Sequence, residues 1–394
     1  MRRTRMFVGA GGLLAAAAAT ATVAVAGAGA TSAPEVKVVA TGLNAPKHLL
    51  DTRQGVYVVE SGRGGRKGSA DCAPGPVTGG PGTTTYCSGQ TGAVALITAE
   101  GTKVVDGRLP SVTEEDSGEI SGPSGVSFTQ TGHLAVLYQD DLVTKNGSNS
   151  LRGRAHSIFG TFQLGSGMSA NLARFAARHP QATATLGGAP GETTFDSDPY
   201  SVVAYRSGFA VTDAAANDLL YVSSRGRISV LARFPTHLET APAGVLGPAA
   251  VPIHAQAVPT SVAVGPDGAL YVGLLRGIPS TPGTADIYRV VPGHAARVWA
   301  SGLTAVTAIA FGPAGRLLVT ELSTGGLLSP PSVPGALLRI STNGKHVTRL
   351  PVSGLFDPTG VAVTHNGTIY VTNHGTSTRS SPKPGQVLEI TGVK

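Results

Sequence analysis

Ser261-Val-Ala-Val264-Gly-Pro-Asp-Gly268-Ala-Leu-Tyr-Val272 reads as an apolar run, a tight Gly-containing turn and a second apolar run. The same phrase returns as Ala308-Ile-Ala-Phe311-Gly-Pro-Ala-Gly315-Arg-Leu-Leu-Val319 and as Gly360-Val-Ala-Val363-Thr-His-Asn-Gly367-Thr-Ile-Tyr-Val371. A looser version runs from Gly125 to Val136, and weaker ones start at His48 and Ser201. Short turns of this composition between β-rich runs signal hairpins. Six copies are present.

Working outward, a second strand pair follows most copies. Asp286–Val290 turns at Pro292-Gly293 into Arg297–Ala300, and Ala336–Ile340 turns at Asn343-Gly344 into His346–Leu350. Leu219–Val222 with Ile228–Leu231, and Ala93–Ile97 with Thr102–Val105, repeat the arrangement. Four strands in each of six copies predict an all-β, six-bladed β-propeller. From Val262 to Ile309 to Val361 the spacing is 47 and 52 residues, close to what one blade needs. The last copy has only three strands, ending in Gln386–Ile390, whereas Val36–Ala40 resembles a fourth strand. Residues 36–40 are therefore expected to complete the sixth blade, so that no sheet edge is left open. Ser169–Arg178, before Pro180, opens on a capping residue and reads equally as a short helix or as a strand leading into one. Residues 181–193 read as loop.

Composition agrees. The 394 residues include 54 Gly and 27 Pro, only 13% are charged, and 41% are hydrophobic. Such a chain is too apolar for intrinsic disorder and too rich in helix breakers for a coiled coil. Arg2, Arg3 and Arg5 precede an Ala-rich apolar stretch, Phe7–Ala30, with small residues at Ala28 and Ala30. Residues 1–30 read as a signal peptide cleaved near Ala30, with an uncleaved anchor as the competing reading, and residues 31–394 as one domain. The mature protein is then expected to be secreted, monomeric and not stably inserted in a membrane. The leader holds three arginines and no acid, so its removal lowers the net charge from +7 to +4. That is too little to imply nucleic acid. Arg63-Gly-Gly-Arg66-Lys67 reads as a solvated basic loop. In an exported chain Cys72 and Cys87, its only cysteines, are expected to pair.

The insertions fall on one side of the ring. Residues 61–90, 140–157 and 323–334 lie between second and third strands, and residues 111–123 and 236–257 between blades. All belong to the same face, which is therefore the expected working face. Polar residues at the ends of second strands there are Glu60, Asp140, Asp213, Glu321 and Asn373, with Leu274 breaking the series. The connections add Asn44, Glu119, Asp196, Asp198, Thr260 and Asp357. Glu60, Asp213, Glu321, Asn373, Asn44 and His48 are the candidate ligand-binding residues. Glu60, Asp213 and Glu321 are candidate metal ligands, Ca²⁺ being the ion that oxygen donors would suit. Each acid taken alone reads better as an acceptor for loop backbone N–H groups. Of the ten histidines, His48 and His374 merit testing, while His133, His346 and His365 sit on turns of the opposite face. No HExxH, GxSxG or nucleotide-binding pattern occurs in a suitable context.

Thr41–Pro46, Val59–Gly65, Asp196–Tyr200, Thr212–Leu220, Val258–Gly268 and Tyr271–Pro279 together carry a resemblance to the ScyD/ScyE family of exported, NHL-like propellers. The resemblance spans the mature chain and implies no established catalytic residues. Leu274 stands where the family pattern has an acid, and Ala215-Ala216 where it has Gly-Gly. The leading expectation is a non-catalytic exported propeller that binds a small molecule or extracellular protein through its loop-rich face. The alternatives are a metal-dependent lactonase-like hydrolase or quinone-dependent sugar-dehydrogenase-like enzyme, and a wall-associated structural protein.

Overall fold

The computed structural model describes residues 34–76, 83–139, 151, 154–165, 167–179, 181–182, 193–194, 197–376 and 383–393. The expected leader, and most of residues 140–157 and 181–193, lie outside this set.

Six antiparallel sheets form the blades, numbered here from the first complete one. From the inside outward, blade 1 comprises Pro46–Thr52, Gly55–Glu60, Thr83–Thr98 and Gly101–Glu114. Blade 2 comprises Pro123–Phe128, Leu134–Tyr138, Thr161–Gln163 and Ser169–Asn171. Blade 3 runs from Pro199–Tyr205 to Ile228–Arg233, blade 4 from Pro259–Val264 to Arg297–Leu303, and blade 5 from Val306–Phe311 to Val347–Arg349. Blade 6 takes Val361–Val363, Ile369–Asn373 and Gly385–Thr391 from the end of the chain, and Glu35–Leu43 from its beginning. Each innermost strand contacts those of the two neighbouring blades, and the last contacts the first. The ring is closed.

Apolar side chains on alternate strand positions meet between blades. Ile287 and Leu303 of blade 4 pack with Val306, Leu317 and Val319 of blade 5, all fully buried. Between blades 2 and 3, Phe162 meets Phe209 edge-on, with ring centroids 4.9 Å apart. The core is thus divided into inter-blade seams rather than gathered at the axis.

Two expected loops are strands instead. Cys72–Pro76 pairs with Thr83–Thr98, Cys72 lies opposite Cys87, and the two are joined by a disulfide. Within the 236–257 connection, His237–Ala241 and Val251–Ala255 form a second hairpin. Both insertions are long enough to satisfy their own backbone groups by pairing. Arg276, 2% exposed, and buried Glu239 hold the second hairpin down. Arg276 donates to the Pro235 carbonyl and pairs with Asp286 at 2.7 Å, while Glu239 accepts from the Thr281 N–H and the Thr284 hydroxyl. In blade 2 the strand Ser169–Asn171 leads directly into a helix, Leu172–Arg178. Asn171, not Ser169, caps it, accepting from the Arg174 N–H at 2.6 Å.

Pairing between first and second strands slips by one residue near the loop-rich face in blades 1 to 5. In blade 2, for example, Pro123 faces Tyr138 but Gly125 faces Leu137. A bulge of this kind re-aims the extra side chain. Here the extra residues, at 124, 200, 260 and 307 and in the 47–48 step of blade 1, gather around the axis.

Candidate functional site

The second-strand polar residues hold the fold. Glu60 accepts the Asn44 N–H at 2.6 Å, Glu321 the Thr304 N–H at 2.7 Å, and Asn373 the Phe356 N–H at 2.7 Å. Asp213 accepts the Asp198 N–H at 2.7 Å and the Ser197 hydroxyl at 2.6 Å. All four are at least nine-tenths buried. Each secures the connection entering its own blade, where Ala45 and Ala305 adopt left-handed backbone at φ 51° and 44°. In blade 4 the apolar Leu274 cannot accept, and Asn217 takes the Val258 N–H at 2.9 Å instead. Burial pushes the Glu60 and Glu321 carboxyls up, opposed by the N–H groups they accept. None of Glu60, Asp213, Glu321 and Asn373 lines the axial cavity. Among the described residues no three His, Cys, Asp or Glu side chains gather closely enough to hold a metal ion.

A second set of polar residues, two positions before the central apolar residue of each innermost strand, does reach the axis. Four of the six are hydroxyls that lock one blade to the next. Ser124 donates to the Pro199 carbonyl at 2.9 Å, Thr260 to Val306 at 2.7 Å, Thr307 to Pro358 at 2.6 Å, and Thr359 to Pro46. Thr260, a candidate from the connections, therefore belongs to this lock. In blade 1 the position is Lys47 and in blade 3 it is Tyr200. The Pro123 carbonyl, which Lys47 leaves without this lock, is reached by Ser61 at 2.8 Å.

The two exceptions meet. The Lys47 ammonium lies 5.9 Å from the centroid of the Tyr200 ring, and both side chains line an axial cavity of about 410 Å³. Lys47 is only 7% exposed and lies within 4.0 Å of no carboxylate among the described residues. It interacts electrostatically with Glu119, an exposed residue. Burial pushes the Glu119 carboxyl up, Lys47 opposes this, and Glu114 adds to it. Burial also pushes the Tyr200 phenol up, Lys47 opposing and Asp198 and Glu119 reinforcing.

One position further along, five blades carry a small residue: Gly125, Ser201, Ser261, Ala308 and Gly360. A Cβ at Gly360 would come within 2.7 Å of the Lys47 carbonyl oxygen, so the strands there leave little room. Blade 1 has His48, which lines the cavity; burial lowers its pKa to about 4, so it is neutral at neutral pH. His374, the other histidine candidate, stacks on Phe356 at 6.0 Å outside the cavity. Burial and Lys383 lower its pKa. Asn44 and Asp357 stay in their connections, and Asp140 and Asp196 lie outside the described residues. His133, His346 and His365 are exposed. Sequence reading missed Lys47 and Tyr200, although aligning the six copies puts both in a column otherwise made of Ser and Thr.

No family model and no curated protein matches the sequence. Solved β-propellers match it in structure, at low sequence identity. A catalytically inactive virginiamycin B lyase from Staphylococcus aureus, with quinupristin, is 11% identical, covering 91% of this chain and 99% of that one at a TM-score of 0.46. A putative gluconolactonase is 9% identical over 91% of each chain at 0.43. A glucose dehydrogenase is 13% identical over 91% and 99% at 0.44.

Proposed function

We propose that this chain is an exported β-propeller that binds a small ligand at the loop-rich end of its axial cavity. One observation carries the reading. The hydroxyl lock is interrupted at Lys47 and Tyr200, which meet on the cavity and whose polar groups the fold does not consume. The cavity volume lies within the range of small-molecule sites, and its wall is mostly apolar with a few polar groups. Export is supported by the basic, apolar N-terminus and by the disulfide. No helix among the described residues is long and apolar enough to cross a membrane. The metal-dependent enzyme reading would need Glu60, Asp213 and Glu321 to converge, and each is spent on a connection.

The test is a thermal-shift screen of the secreted chain against small acids, alcohols, amines and sugars, repeated on Tyr200→Ala. The reading expects hits that vanish in the variant. Hits unaffected by Tyr200→Ala would remove the axial seat.

A further inference from the structure

We infer that the axial seat takes an organic anion, with a carboxylate at Lys47 and an apolar body lying along the cavity. This rests on the binding function proposed above and adds the chemical class.

The argument begins with an ammonium that has been taken out of water. Burying a charge without an opposite charge is costly, and proteins ordinarily pair it. Lys47 has only the face of Tyr200, at 5.9 Å, and no carboxylate within pairing distance among the described residues. Glu119 acts electrostatically on both groups and Asp198 on Tyr200, neither acid lying within pairing distance of Lys47. The missing contact is short, negative and on the cavity side. A carboxylate supplies it.

The rest of the cavity describes the rest of the ligand. Leu50, Val203, Ile309 and Phe311 line it, so the body is apolar. His48 adds no second positive charge, because burial keeps it neutral.

The experiment is calorimetric titration of the mature chain with benzoate, benzyl alcohol and benzylamine. Benzoate is expected to bind best. Lys47→Met should weaken benzoate at least tenfold and benzyl alcohol far less, and Lys47→Arg should retain most of the benzoate affinity. Lys47→Met replaces a buried unpaired charge by an apolar chain of similar length, so it is expected to fold. Preference for benzylamine would show that Glu119 and Asp198 dominate and would overturn the inference. Equal binding of benzoate and benzyl alcohol, lost in Tyr200→Ala, would overturn the anion class while sparing the binding site. Binding of none of the three, with no change in the His48 ring resonances, would remove the seat itself.

Discussion

Val38, near the start of the first strand, lies in register opposite Leu388 of the last. The pairing runs from Glu35 against Thr391 to Leu43 against Gly385, so one blade is shared by both ends of the chain. Removing residues 34–43 would expose the edge of Gly385–Thr391 and uncover Val387, both liabilities for aggregation. A truncated chain starting at Asn44 is expected to melt well below the full mature chain and to form larger species in light scattering. Unchanged melting and size would contradict the closure.

Each hydroxyl of the lock stabilises its own blade junction. Thr307→Val and Thr359→Val each keep shape but remove a buried donor, leaving the Pro358 or Pro46 carbonyl unsatisfied. Each is expected to cost about 1–3 kcal/mol in urea unfolding. The Thr307 hydroxyl bonds the carbonyl of the Pro358–Thr359 peptide, so the two sites are neighbours and the double variant should depart from the sum of the singles.

Glu321 separates a scaffold role from a ligand role. Glu321→Gln keeps an acceptor for the Thr304 N–H, and Glu321→Leu removes it. Unfolding measurements should show a small change for Gln and a loss of about 1–3 kcal/mol for Leu. Ligand affinity at Lys47 should be the same in wild type and Glu321→Gln. A loss of affinity in that variant would return Glu321 to the binding site.

His48 makes stability depend on pH. Its pKa falls from 6.5 to about 4 on folding because burial disfavours the charged ring. Between those values the unfolded chain binds more protons than the folded one, so stability is lost as pH falls from 6.5 towards 4 and fully present above 6.5. The loss amounts to roughly 3 kcal/mol at most, at about 1.4 kcal/mol per pH unit. Chemical denaturation at pH 7, 5.5 and 4.5 should give a flatter profile for His48→Gln than for wild type.

The Cys72–Cys87 bridge closes a separation of 15 residues. Chain entropy alone would make that worth about 3 kcal/mol. Since the bridged strands already pair, reduction or the double Cys→Ser variant is expected to lower stability by that amount or less. Far-UV spectra of the ring should stay unchanged.

Much of the fold was legible because its signals are local. Turn chemistry at Gly-Pro-Asp-Gly268, Gly-Pro-Ala-Gly315 and Thr-His-Asn-Gly367 marks the same hairpin three times, and the shortfall of one strand in the last copy points to Val36–Ala40. The hairpins within 61–90 and 236–257 were harder, since Gly, Pro and Thr in them weaken the alternation that marks a strand. The candidate site was only half legible. Glu60, Asp213, Glu321 and Asn373 do end their strands on the loop-rich face, but each turns to a backbone N–H a few ångströms away.

Read alone, the chain determines the number of blades, the closure of the ring and the face that carries the long insertions, because each depends on turn residues and period-2 patterning over a few neighbours. Only the tertiary structure decides which polar side chains remain unspent. Lys47 and Tyr200 lie 153 positions apart, and whether an ammonium finds a carboxylate, a ring face or open cavity depends on where six separate strands converge.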